Sequence, residues 1–385
     1  ALSVTKQGIV PQLESAAKTD AGDNRKLVLK NDFVINSRSD RKGSSGTSVF
    51  DGSVSLISIV MAPRMINPKF AHHLLRSYPF QEEFYRYGKG IVADLWSTNS
   101  SEMKNILLPD IPEKEEEIIA NYLDNETAKI DTLIKKQQQL IKLLKEKRLA
   151  VISHAVTKGL NPNAPMRDSG VEWLGEVPVH WDVVPIKHIV STPVTDGPHE
   201  TPNFLDEGIP FISAESVSSG KIRFDKIRAH ISEADNEKYS LKYAPKKHDI
   251  YMVKSGATTG MTAIVETDQQ FNIWSPLAVI RCKKDSYPYF VLNFMRSLNF
   301  KEAVELNWSF GTQQNIGMGV IENLHVTRPP LEEAKNISKQ LIQKCSTYDN
   351  VIEKGLTQIE LMTERRTALV SAAVTGKIDV RNWQA

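Results

Sequence analysis

The strongest constraint on this chain is an internal repeat. The stretch RLAVISHAVTKG, Arg148 to Gly159, returns 218 positions later as RTALVSAAVTGK, Arg366 to Lys377. Arg148 matches Arg366, Ser153 matches Ser371, and Ala155, Val156 and Thr157 match Ala373, Val374 and Thr375. Upstream, MKNILLPDIP (103–112) lies opposite IENLHVTRPP (321–330) at the same offset, and PKFAHHLLRSYPF (68–80) faces PYFVLNFMRSLNF (288–300) at an offset of 220. Earlier still, NDFVIN (31–36) faces HDIYMV (248–253), and the glycines of RKGSSGTS face those of KSGATTGMT. A repeat of this extent is two copies of a whole domain plus its trailing segment.

Each copy changes texture once. Its first part mixes short β-rich runs (FVIN, LISIVM, IYMV, LAVIRC) with Gly, Pro and Asn punctuation and one short helix, which predicts a compact α+β head. Its second part carries neither Gly nor Pro from Glu113 to Lys158. Pro112 followed by Glu113, Glu115, Glu116 and Glu117 is a helix start that suits the helix dipole, and Gly159 is a helix stop. The resulting rod is roughly 65 Å long at about 1.5 Å per residue. The expected boundaries are a first head over 1–111, a long helix over 112–159, a linker over 160–180, a second head over 181–330, a second long helix over 331–376 and a tail over 377–385.

Both rods carry a heptad seam. In the first it is read as Leu123, Ile130, Leu133, Leu140, Leu144 and Val151, with Ile134 and Ile141 beside it. In the second it is Leu341, Tyr348, Ile352, Ile359, Met362 and Leu369. The seams weaken at the same point, Gln137 and Gly355. Each rod could pack on its own head. The matched seams favour pairing of the rods with each other, antiparallel and with approximate two-fold symmetry.

Composition bounds the rest. With 385 residues, 41% apolar and 24% charged, the chain is long enough for two or three globular domains. A net charge of +2 places any affinity for an acidic polymer in local patches. Two cysteines, Cys282 and Cys345, make no disulfide framework, so a reducing cytoplasm is the expected compartment. No apolar run approaches the roughly 18 residues of a membrane helix.

The stretch NPNAPMRDSGVEWLGEVPVHW after the first rod, the helix ends AVISHAVTKG and ALVSAAVTGKID, and the head-then-rod layout together resemble the specificity subunit of type I restriction–modification systems, the HsdS family. The resemblance covers essentially the whole chain. It implies two target-recognition domains, each reading one half of a split sequence in double-stranded DNA, with the paired rods as a spacer. It implies docking of two modification subunits, which bind S-adenosylmethionine and methylate adenine N6, and of ATP-hydrolysing restriction subunits. S-adenosylmethionine, ATP and Mg would then be held by those partners, and this chain would hold no cofactor, metal or catalytic centre. Counterparts of the start of the second head fall before Ala1, so the first head is expected to be N-terminally incomplete.

The residues themselves agree with a binder. PDIPEK (109–114) is a helix entry, and its repeat places Arg328 opposite Asp110. The glycine-rich loops lack the GK[ST] ending of a P-loop, and no methyltransferase motif of the Asn-Pro-Pro-Tyr type occurs. The nine histidines, including His72–His73, have no cysteine partners at zinc spacing. A DNA reader needs cations for phosphates and amides, hydroxyls or guanidiniums for base edges. In the first head the candidates are Asn36, Arg38, Arg41 and Lys42, with Trp96, Thr98 and Asn99. In the second they are Arg223 and Arg228, then Lys254, Ser255, Thr258 and Thr259, then Asn272 and Trp274, and finally Gln313, Gln314 and Asn315. The rival expectations are a DNA-independent coiled-coil protein scaffold and a solitary nuclease or methyltransferase.

Overall fold

The computed structural model describes residues 1–12, 24–92, 96–217, 220–310 and 314–384. They divide into two compact units, 1–140 with 354–385, and 141–353. The first unit contains strands β1 (Leu2–Thr5), β2 (Gly8–Pro11), β3 (Arg25–Val28), β4 (Phe33–Asn36), β5 (Ser45–Thr47), β6 (Gly52–Ser55) and β7 (Ser58–Met61). Helices α1 (Pro68–Leu74), α2 (Tyr78–Arg86) and α3 (Ser100–Met103) follow, and then the long α4 (Glu113–Lys158), whose last turns belong to the second unit.

The second unit continues with β8 (Met166–Asp168), β9 (Glu176–Pro178), β10 (Asp182–Pro185), β11 (Thr195–Asp196), β12 (Ile209–Ile212), α5 (Ala214–Val217), β13 (Ala229–Ile231) and α6 (Glu233–Ser240). Next come β14 (Ile250–Val253), β15 (Thr262–Ile264), β16 (Asn272–Ile273), β17 (Leu277–Ile280), α7 (Pro288–Met295) and α8 (Leu298–Asn307). It ends with β18 (Ser309–Phe310), β19 (Gln314–Asn315), α9 (Met318–Asn323), β20 (His325–Arg328) and the long α10 (Leu331–Val374), which returns to the first unit.

The repeat is visible in hydrogen-bond register. The first unit has a sheet ordered β5-β4-β7, and the second contains β15-β14-β17 in the same order, with β11 added outside β17. Phe33 pairs with Thr47 and Met61, and Ile250 with Ile264 and Ile280. The central strands FVIN and IYMV are buried throughout, as strands covered on both faces must be. The turn entering each is the same. Asn31 and His248 take φ of 75° and 72°. Their amides donate to Ser48 O and Val265 O at 2.8 Å, and the following carboxylates, Asp32 and Asp249, accept from Leu29 N and Lys246 N at 2.8 Å. A histidine in the left-handed region is uncommon, and these two hydrogen bonds hold it there.

The helices of the heads repeat as well. A proline begins both α1 and α7, where a missing N–H costs nothing. Ser77 and Ser297 close these helices by donating to Leu74 O and Phe294 O at 2.7 and 2.6 Å. One difference stands out. In the second unit β10 pairs antiparallel with β20, and Trp181, fully buried just before it, lies edge-on to Phe290 with ring centroids 5.9 Å apart. In the first unit the segment at the repeat position of β20, residues 107–110, carries no strand, and Leu107 is exposed.

The long helices pack antiparallel within each unit. In the first, Ala120 and Leu123 share a core with Val370, Ala373 and Val374. In the second, Ile152, Ala155 and Val156 share one with Ala334, Ile337 and Leu341. The buried or half-buried stripe of α4 runs through Leu123, Thr127, Ile130, Ile134, Gln137, Ile141, Leu144, Arg148 and Ile152. That of α10 runs through Leu341, Cys345, Tyr348, Ile352, Gly355, Ile359, Met362, Arg366 and Val370, each 218 positions later. Steps of four and three alternate as far as Arg148 and Arg366, the signature of a heptad seam. Two expected seam residues are therefore corrected: Leu133 and Leu140 are exposed, at 55% and 45%. The seam steps four residues on from Ile130 and Gln137, to Ile134 and Ile141. Val151 and Leu369 sit half-buried beside the more deeply buried Ile152 and Val370.

Candidate nucleic-acid interface

In the first head, the loop leaving β4 folds onto the segment entering α3. The Asn36 side chain accepts from Arg38 N at 3.1 Å and so turns the chain out of the strand. Arg38 then forms an isolated antiparallel bridge with Ser97. Ser39 N donates to Trp96 O at 2.9 Å, Thr98 N donates to Ser37 O at 3.0 Å, and the hydroxyls of Ser37 and Ser97 lie 2.8 Å apart. Arg38, Arg41 and Lys42 are exposed on this surface. Arg41 lies 3.4 Å from Asp40, Lys42 pairs with Glu82, and the Trp96 ring is 40% exposed. The base of the loop is fixed by the Tyr85 hydroxyl, which donates to Asn36 O at 3.1 Å and is pushed up to about 12 by burial.

Three candidates of this head serve the fold. Asn36 is buried in its turn. Thr98 is fully buried and donates to Phe84 O at 2.7 Å. Asn99 caps α3, accepting from Glu102 N at 2.9 Å.

In the second head the same junction recurs with other side chains. Ser255 bridges Asn315 antiparallel, 217 and 218 positions after Arg38 and Ser97. Gly256 N donates to Gln314 O at 3.0 Å and Ile316 N to Lys254 O at 2.9 Å. The Thr259 hydroxyl donates to Gly256 O at 2.7 Å and tightens the loop, while Thr258 O accepts from Met261 N. Gln314 and Asn315 are exposed; Gln313 lies outside the described residues.

Lys254 is held from beneath. Its ammonium lies 3.1 Å from Asp196, a fully buried carboxylate that Lys242 and His199 also reach. Burial pushes the Asp196 carboxyl up, but hydrogen bonds from Lys242 and Lys254 outweigh it and hold the group below the usual carboxylate range. Asn272 is buried and donates to the side chains of Asn236 and Ser240, so it too serves the fold. Arg223 pairs with Asp225. Arg228 lies over the Trp274 ring, 5.0 Å from its centroid.

The structure thus brings together Arg38 with Ser97 and Trp96 in one head, and Lys254, Ser255, Thr259, Gln314 and Asn315 in the other. Ser97 and Asp196 were not singled out from sequence. Ser97 had a signal, because it occupies the repeat position of Asn315. Asp196 had none, since no local pattern marks a buried carboxylate that serves two lysines and a histidine. The first junction exposes the cations Arg38, Arg41 and Lys42, and the second exposes the amides of Gln314 and Asn315 while Lys254 is turned onto Asp196, each on a loop pinned by backbone hydrogen bonds. Among the described residues no group of three or more His, Cys, Asp or Glu is arranged to hold a metal ion, and no helix is long and apolar enough to cross a membrane.

The chain is similar to known proteins. Residues 178–361 match the type I restriction modification DNA specificity domain. The chain is 22% identical to the type I restriction enzyme MjaVIII specificity subunit of Methanocaldococcus jannaschii, over 98% of this chain and 88% of that one. It is 23% identical to the EcoKI specificity subunit of Escherichia coli, over 93% and 77%. Among solved structures, a chain from work on complex assembly and conformational transition of the type I system aligns with a TM-score of 0.71 at 17% identity, covering 93% of this chain and 85% of that one. The HsdS subunit of Thermoanaerobacter tengcongensis aligns with a TM-score of 0.51 at 16% identity, over 93% and 84%. Duplicated heads, paired rods and these matches converge: residues 178–361 match the type I specificity domain, and the chain is similar along nearly its whole length to specificity subunits of type I restriction–modification systems.

Proposed function

We propose that each head reads one half of a bipartite sequence in double-stranded DNA and that the paired helices set the gap between the halves. One observation carries this reading. The bridge between the loop after the central strand and the segment before the last short helix occurs in both heads, yet its residues are exchanged, Arg38–Ser97 for Ser255–Asn315. A single frame with different exposed donors and acceptors is what two different half-sites require. Each head alone binds weakly, because most of its affinity is phosphate contact that salt screens. Tethering makes the second contact intramolecular and raises the joint affinity.

In this reading the chain is a non-catalytic recognition subunit. Modification subunits bring S-adenosylmethionine, and restriction subunits bring ATP and Mg. Leu133, Leu140 and Leu143 are exposed along α4, and Ile342, Leu356 and Leu361 along α10. The three α4 leucines, spaced by seven and three, share one helical face that suits docking of a partner helix.

The test is selection from randomised duplex DNA by this chain co-purified with its modification subunit. Two short enriched blocks at a constant gap are expected. One block would mean that only one head reads DNA, and no enrichment would favour a protein scaffold.

A further inference from the structure

We propose that Arg228 is a specificity-determining residue of the second head and reads a guanine by its major-groove edge. The proposal rests on the DNA-reading function above and assigns one contact within it.

The Arg228 guanidinium lies in a corner built by two aromatic rings. Its centre is 5.0 Å from the Trp274 ring centroid and 5.6 Å from that of Phe204. The rings themselves stand nearly perpendicular, 78° apart with centroids 6.0 Å apart. Every wall of the corner is tied to the sheet. Trp274 follows β16, and its amide donates to Ile212 O at 2.9 Å. Phe204 precedes Leu205, which exchanges both backbone hydrogen bonds with His230, at 2.9 and 3.1 Å. Arg228 itself directly precedes β13.

The head of the side chain nevertheless reaches solvent. It is 49% exposed and forms one wall of a cleft of about 550 Å³ shared with Leu205, Asp206 and His230. Among the described residues its ion pair is with Glu215, long at 3.8 Å. This separates it from Arg223, whose fork is taken by Asp225 in a pair formed two residues away.

Position completes the case. Trp274 O accepts from Leu277 N, and within that turn Pro276 O accepts from Lys254 N at 2.8 Å. The corner is therefore joined through backbone hydrogen bonds to the strand end that carries Lys254 and Ser255. A phosphate contact needs only a cation and is made as well by a flexible side chain. A guanidinium confined between rings has lost its rotational freedom before binding, and its parallel N–H groups match the adjacent O6 and N7 acceptors of guanine. No other base presents two major-groove acceptors side by side.

The test compares the wild-type chain with Arg228→Lys and Arg228→Ala, each co-purified with its modification subunit, in selection from randomised duplex DNA at two salt concentrations. The wild type is expected to enrich a G·C pair at one position of one block. Both variants are expected to lose that preference by about tenfold or more while retaining the remaining positions and the other block. Lysine fails because a point charge cannot form the planar fork, and the retained block shows that the variant chain is folded and assembled. Uniform weakening over all sequences with a shallower salt dependence would make Arg228 a phosphate contact and overturn the proposal. Unchanged blocks would also overturn it. A wild type that enriches nothing would instead overturn the DNA-reading function on which the proposal stands.

Discussion

Arg148 Nε lies 2.8 Å from a carboxylate oxygen of Asp349, and the same ion pair recurs between Arg366 and Asp131, also at 2.8 Å. Adding 218 to Arg148 and to Asp131 yields Arg366 and Asp349, so each pair is the repeat image of the other. Each arginine occupies a seam position, and each pair holds two antiparallel helices in register within its unit. Both partners are a third to a half exposed, so the pair specifies register more than it stabilises. A double-mutant cycle on Arg148→Ala and Asp349→Ala, read by denaturant unfolding, is expected to give a coupling below about 1 kcal/mol. A coupling of several kcal/mol would show that the pair is far more buried in solution.

The corrected seam makes a paired prediction. Ile134→Glu places a charge on the buried stripe and is expected to lower stability by about 2 kcal/mol or more. Leu133→Glu, one residue earlier and exposed, is expected to change stability by less than about 0.5 kcal/mol. The same substitution should weaken co-purification with the modification subunit if the exposed leucines are its docking face. Thermal midpoints and pull-down yields separate the two effects.

Asp196 anchors the cations beneath the second junction. Asp196→Asn leaves Lys254, whose side chain is only 14% exposed, without its counter-charge. Removing one partner of a buried pair costs about 3–5 kcal/mol when both are fully buried, and Lys254 lies near that limit. A loss of about 3 kcal/mol in chemical denaturation is expected. A loss under about 1 kcal/mol would mean that Lys254 turns freely into solvent.

His72 predicts an acid sensitivity. Burial, with Arg76 beside it, lowers its pKa from 6.5 to about 3, and His73, Asp124 and Arg366 also face it. The unfolded chain takes up a proton below 6.5 that the folded chain refuses until about 3. Stability is therefore intact above that window and falls as the pH drops through it, by up to about 1.4 kcal/mol per pH unit. His72→Gln is expected to lose less stability than the wild type between about pH 7 and about pH 5. Parallel curves for the two proteins would show that His72 is protonated in the fold.

The repeat, the two long helices and most of the seam were legible in the sequence, because helical period and chain duplication are local properties. The repeat also held the cure for its one misreading: Ile352 and Ile359 mark the seam of α10, and their counterparts are Ile134 and Ile141, not Leu133 and Leu140. Which polar residues face solvent was not legible. Asn272 and Thr98 look like base readers in their loops, yet Asn272 is consumed by Asn236 and Ser240 and Thr98 by the carbonyl of Phe84. The corner around Arg228 needs Phe204 and Trp274, which only the sheet places together. The sequence by itself determined what repeats and where the apolar faces run. The tertiary structure decided which donors remain free, because a polar side chain is spent or exposed according to partners that arrive from distant parts of the chain.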